Sequence, residues 1–201
     1  MLHSKFEQLT ELMGREERRA EIVATLARHV LAHGLAGAGL RSLARVAGTS
    51  DRMLLYYFMS KEDLLSAVLE QIAANLARSL QAIFGEVKLP PARALERIWQ
   101  VLKQGSNSDP VRLWIECASR ASRGDPFFRV VVDRIRENWV TWLSAVLDTP
   151  AADRAPLAAL MMAAVDGQVV LQPTNLAQGD AAIRLLVRLL KQRASSYPEA
   201  S

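Results

Sequence analysis

The stretch Leu40-Arg41-Ser42-Leu43-Ala44-Arg45-Val46-Ala47-Gly48-Thr49-Ser50-Asp51-Arg52-Met53-Leu54-Leu55-Tyr56-Tyr57-Phe58 decides the fold. Leu40, Leu43, Ala44 and Ala47 recur at helical spacing, so a short helix is expected over Leu40 to Ala47. Gly48 and Thr49 turn the chain. Ser50 or Asp51 then caps a second short helix that ends at Tyr57. Small residues (Ala44, Ala47, Gly48) let the two helices cross closely, and Leu43, Val46, Leu54 and Phe58 lock them into a core. This is the arrangement of a helix-turn-helix, whose second helix lies in a major groove. Leu54 and Phe58 claim the buried side of that helix, so at least one of Tyr56 and Tyr57 is expected outside.

Outward from this stretch the chain reads as helix throughout. Its 201 residues suffice for one large or two small domains, and half of them are hydrophobic. Apolar residues recur at three and four, β alternation is absent, and about nine helices are expected, making an all-α fold. The first runs from about Arg15 to His33, burying Ile22, Val23, Leu26, Ala27, Val30 and Leu31, and Gly34 ends it. Ser60 opens the fourth, with Asp63 completing a capping box, and it continues to about Phe84. Lys88 to Pro91 is the clearest break. Helix five is expected over Ala92 to Gln104. Asp109-Pro110 and Asp125-Pro126 pair a capping acid with a proline and open helices six and seven. Helix eight is expected over Asp153 to Gln172 and helix nine over Asp180 to about Ala194.

Composition removes several classes of function. The net charge of +4 permits a polyanionic partner without demanding one. No run reaches the ~20 apolar residues of a membrane span, so no membrane partner is expected. The N-terminus lacks the pattern of a signal peptide, and Cys117 is the only cysteine, so a cytoplasmic protein is expected. His29 and His33 stand at i and i+4, but no third ligand lies near them in sequence, so no metal is expected. Gly37-Ala38-Gly39 follows a helix rather than a strand and lacks the last glycine of a dinucleotide fingerprint. No catalytic constellation stands out, and neither an enzyme nor a cofactor is expected.

Leu40 to Ser50, then Leu54-Leu55-Tyr56-Tyr57-Phe58, then Ser60-Lys61-Glu62-Asp63-Leu64-Leu65, resembles the DNA-binding signature of the TetR family. The resemblance covers about Arg15 to Glu70. It implies a helix-turn-helix domain over residues 15–60 and a ligand-binding and dimerisation domain over residues 61–194, linked by helix four. It implies a homodimer that reads a palindromic double-stranded DNA operator and is released by a small molecule, as a repressor. Arg41, Ser50, Asp51, Arg52, Met53, Tyr56, Tyr57 and Lys61 are the DNA-binding residues it implies. Among them Arg41, Arg52 and Met53 would face base edges, Tyr56 and Tyr57 would reach phosphates or thymine methyls, and Lys61 would hold a phosphate. Ala38 and Gly39 stand where the family usually has hydroxyl residues. Asp51 would repel phosphate, but could accept from cytosine N4 or orient Arg52.

The resemblance also puts helices eight and nine at the dimer interface, with Met161, Val165, Val169, Gln172, Ile183, Leu186, Val187 and Leu190 as the contacts. Helix nine is apolar around much of its circumference and so wants a second partner, or else is buried in its own subunit. The effector pocket is expected among helices four to eight. Its candidate residues are Trp99, Trp114, Glu116, Cys117, Phe127, Trp139, Trp142, Met162 and Asp166, each weighed against simple core packing. Cys117 also reads as a small buried hydrophobe. Asp166 interrupts the apolar run Leu157 to Val170, so it suits either a structural hydrogen bond or a ligand. An apolar or amphipathic effector fits such a lining.

Overall fold

The computed structural model describes residues 2–85, 87–104, 109–171 and 176–195, with the side chains of residues 2–12 and 195 left aside. Among the described residues there are nine helices: α1 Leu2–His33, α2 Leu40–Val46, α3 Asp51–Tyr57, α4 Lys61–Phe84, α5 Pro91–Leu102, α6 Asp109–Ser122, α7 Pro126–Val146, α8 Ala151–Leu171 and α9 Leu176–Ser195. The all-α reading holds. The largest difference is at α1, which begins well before Arg15: Leu2, Phe6, Leu9 and Met13 recur at helical spacing ahead of it, a pattern the sequence reading passed over. The helices form two compact units, Met1–Asn75 and Leu76–Ser201, and α4 contributes residues to both.

In the first unit the stripe Ile22, Val23, Leu26, Ala27 and Val30 of α1 is buried, as are Leu43 and Ala44 of α2. The chain leaves α2 through a two-bond cap. Thr49 N donates to Ala44 O at 2.9 Å and Gly48 N to Arg45 O at 3.2 Å. Gly48 sits at φ +64, the left-handed region this cap requires. Ser50 caps α3, its Oγ accepting from Met53 N at 3.2 Å. With only seven residues, α3 is too short to persist alone. Leu54 (0% exposed) and Phe58 (1%) hold it to the unit. Burial of each contributes roughly 1.5–3 kcal/mol. Ser60 Oγ accepts from Asp63 N at 3.1 Å to start α4, while Asp63 Oδ2 accepts from Met59 N at 3.0 Å.

In the second unit α5 packs on α8 and α9, α6 on α7 and α8, α7 on α8, and α8 on α9. Leu95, Ile98, Leu102, Leu143, Leu157, Met161 and Val165 are among the residues of its core. Asp125 caps α7 as expected, its carboxylate accepting from Phe127 N and Phe128 N. Asp109 departs from that expectation: it lies inside α6 and pairs with Arg112 at 2.9 Å. The segments flanking α5 and α7 are tied by Leu89 N to Val146 O (2.9 Å) and Asp148 N to Leu89 O (2.8 Å).

One sequence expectation meets an exception in α8. By length and composition it is apolar enough to cross a membrane. Its inner face, Leu157, Ala158, Met161, Val165 and Val169, lies in the core, so the apolar excess is on its outer face.

Gly48 has open space where a Cβ would stand, so only the backbone resists substitution. Gly48→Ala is expected to cost roughly 1–2 kcal/mol. The check is chemical denaturation of the variant beside wild type, with an unchanged midpoint counting against the left-handed cap.

Candidate nucleic-acid interface and effector residues

The interface is built on α3. A helix turns 100° per residue, so anchoring Leu54 inward points Arg52 and Tyr56 to the opposite side, with Met53 and Leu55 on the flanks. Accessibility follows that geometry: Tyr56 is 55% exposed, Met53 40% and Leu55 46%, while Arg52 is also exposed and Tyr57 half-buried. The two tyrosine rings meet edge to face, with centroids 5.3 Å apart. Lys61 stands half-buried in the first turn of α4, beside amides that leave a positive helix end. Gly39 begins α2 with no side-chain cap, in line with the missing hydroxyl noted in the sequence. Asp51 does not orient Arg52. Its carboxylate lies 3.9 Å from Arg41 Nε, and the Arg41 side chain is otherwise almost fully exposed. The Ser50 oxygen serves the α3 cap.

Sequence reasoning missed Arg15 and Arg19. Arg15 Nη2 donates to Tyr56 O at 2.9 Å, and its guanidinium lies 4.9 Å from the Tyr56 ring centroid. Arg19 covers the Phe58 ring at 4.8 Å. Both follow from the placement of α1 rather than from any local pattern.

By their contacts, most of the expected effector residues fall into separate groups. Trp99 is sealed in the core (2% exposed), and its Nε1 donates to Asp180 at 2.6 Å. Lys103 Nζ lies 3.3 Å from the same carboxylate. Trp99 therefore joins α5 to α9, apart from the Trp114–Asp166 and Trp139–Trp142 groups. Cys117 is likewise a core residue, and burial pushes its thiol up to about 12. Trp139 and Trp142 meet edge to face at 5.5 Å, Trp142 does the same with Phe84, and Trp142 Nε1 donates to Gln81 at 2.8 Å. Phe127 packs on Phe128, and Glu116 pairs with Arg120 at 3.7 Å. Met162 packs against the core. Trp114 on α6 and Asp166 on α8 do come together, Nε1 to Oδ2 at 3.0 Å. Burial pushes the Asp166 carboxyl up to about 6, against the lowering effect of that hydrogen bond.

Most of the expected dimer contacts turn toward the protomer's own core. Met161, Val165, Val169, Ile183, Val187 and Leu190 are buried inside the protomer, so none is free to meet a partner. Leu186 is half-buried against the same core, and Gln172 lies outside the described residues. The exposed apolar residues of these helices are instead Leu160, Val170 and Leu171 on α8, and Leu176, Leu185 and Leu189 on α9. On α8 the exposed positions Pro156, Leu160, Ala163, Gly167 and Val170 recur at alternating spacings of four and three, the signature of a seam between helices.

A short, capped helix held by an inward Leu-Phe pair, presenting arginine and tyrosine outward and followed by a lysine-bearing helix start, defines a helix-turn-helix DNA-binding protein. Residues 22–68 match the family described as bacterial regulatory proteins, tetR family. The chain is 26% identical over 192 residues to the HTH-type transcriptional regulator BetI of Rhizobium meliloti, covering 92% of this chain and 91% of that one. A transcriptional regulator from Rhodococcus sp. Rha1 superposes with a TM-score of 0.68 at 25% identity, over 90% of this chain and 99% of that one. The multidrug binding protein EbrR, complexed with proflavin, superposes with a TM-score of 0.63 at 25% identity, over 86% of this chain and 99% of that one. The match over residues 22–68 places the tetR-family DNA-binding segment on α1 to α4, and these relatives are transcriptional regulators or a ligand-binding protein of the same fold.

The raised Asp166 carboxyl has a consequence with a definite sign. Its proton is held more tightly in the folded chain than in the unfolded one. The stabilising contribution is complete below about pH 4 and is lost as pH rises through about 6. Asp166→Asn keeps an acceptor for Trp114 and removes the charge. The variant is expected to melt above wild type at pH 7, with the gap closing toward pH 4. Parallel melting curves at both pH values would count against a buried carboxylate.

Proposed function

We propose that this protein is a homodimeric, ligand-responsive repressor in the cytoplasm that binds a palindromic DNA operator and leaves it when a small apolar or amphipathic molecule binds the C-terminal unit. The observation that carries this reading is α3 itself, sealed on its leucine-phenylalanine side and open on the side bearing Arg52, Met53 and Tyr56. Arg41, Asp51, Arg52 and Met53 face base edges, with Asp51 and Arg41 acting as a pair. Tyr56, Tyr57 and Lys61 meet the sugar-phosphate backbone or thymine methyls. The two α3 helices of a dimer are held about 34–36 Å apart to match successive major grooves.

The effector reading is supported by the Trp114–Asp166 pair on α6 and α8 and by the Trp139–Trp142 cluster on α7, which offer polar and aromatic groups respectively. The effector binds the released conformation more tightly and acts through α4, whose residues belong to both units. The partner subunit covers the outward seam of α8 and the exposed leucines of α9. That occupant accounts for an apolar face which an isolated chain would leave in water.

Selection of duplexes from a random pool by the purified protein tests the DNA reading, and recovery of no consensus overturns it. On the recovered duplex, Lys61→Ala is expected to flatten the plot of log affinity against log salt by about one unit of slope. An unchanged slope removes Lys61 from the phosphate contacts. Sedimentation of Leu160→Asp/Leu189→Asp is expected to show a helical monomer. A variant that stays dimeric shows that the pairing lies elsewhere.

A further inference from the structure

Two arginines one turn apart on α1 reach the end of α3, and they serve different purposes. Arg19 covers the ring of Phe58, a core anchor, and lies 4.0 Å from Asp63 in the first turn of α4. Arg15 is exposed and touches Tyr56 instead. Its Nη2 donates to the Tyr56 carbonyl at 2.9 Å, and its guanidinium carbon stands 4.9 Å from the ring centroid.

The last turn of any helix has carbonyls without intrahelical partners and a partial negative charge. In α3 that turn contains no basic residue of its own. Arg15 supplies from another helix the donor and the positive charge that α3 lacks. The same group lies against a ring that is otherwise more than half exposed, and Tyr57 closes on that ring from its edge. Both contacts restrict how Tyr56 can turn. A side chain ordered before its ligand arrives loses less entropy on binding.

We infer that Arg15 is a positioning residue for the DNA-reading face: it holds Tyr56 in its binding orientation through the carbonyl bond and the guanidinium over its ring. This rests on the DNA-binding reading above. The role needs an arginine. A planar guanidinium can lie against a ring while donating along its edge, whereas an ammonium carries the charge without that shape.

The test is fluorescence anisotropy with the labelled duplex that wild-type protein recovers from a random pool. Arg15→Ala is expected to weaken binding about five- to tenfold. Arg15→Lys is expected not to restore it. In a Tyr56→Ala background the Arg15→Ala step is expected to cost about twofold or less, because little is left to position. The salt slope stays at the wild-type value, since the phosphate contacts are the same in number. Circular dichroism melts of each variant establish folding, and Arg15→Lys carries the test if Arg15→Ala melts below the assay temperature. A full loss that persists in the Tyr56→Ala background, a slope reduced by about one, or rescue by lysine makes Arg15 a direct phosphate contact and overturns the inference. Binding equal to wild type overturns it too. A pool that yields no duplex removes the DNA reading itself, a failure distinct from a duplex bound equally by both proteins.

Discussion

Everything presented to solvent by α3 depends on the burial of Leu54 and Phe58 four residues apart. A seven-residue helix has too few internal hydrogen bonds to hold itself. Its existence and its rotation are both set by where those two side chains go. The Ser50 cap and the left-handed Gly48 before it fix the direction of entry. Once that is done, the outward direction of Arg52 and Tyr56 is a matter of helical geometry. Arg19 over Phe58 and Arg15 over Tyr56 add a clasp from α1 on each side of the helix end.

The second unit uses a different device to hold its helices in register. A buried indole N–H is costly unless it finds an acceptor, so each bonded tryptophan pins two helices together. Trp99 pins α5 to α9 through Asp180, and Trp114 pins α6 to α8 through Asp166. Trp142 joins α7 to α4 through Gln81 as well, in an exposed bond that carries no such desolvation cost. Arg193 to Asp153, at 2.8 Å, ties α9 to α8 near the far end.

Where the sequence has an asymmetric pattern, its reading and the structure agree. The stripe of α1, the turn at Gly48, the anchors Leu54 and Phe58, and the Ser60–Asp63 start were all legible because each is a local rule with one solution. The faces of α8 and α9 were not. Both sides of α8 are apolar, so periodicity finds two stripes and cannot say which one the protomer buries. The stripe through Met161, Val165 and Val169 went inward and the one through Leu160, Gly167 and Val170 stayed outside. The tryptophans were ambiguous for a related reason: aromatic composition says nothing about which acceptor each indole meets. Arg15 and the Arg41–Asp51 pair depend on how separate helices are placed, information that no window of sequence contains.

The division of labour on α3 has an evolutionary corollary. The residues that keep the helix in place and the residues that face outward are almost disjoint sets. Replacing Arg52 or Met53 removes neither anchor nor cap, so such changes cost the scaffold little. The outer side can therefore drift toward new base sequences while the protein keeps folding. Tyr56 is the exception, since a second helix grips it, and it should change more slowly than its neighbours as copies of such a gene diverge.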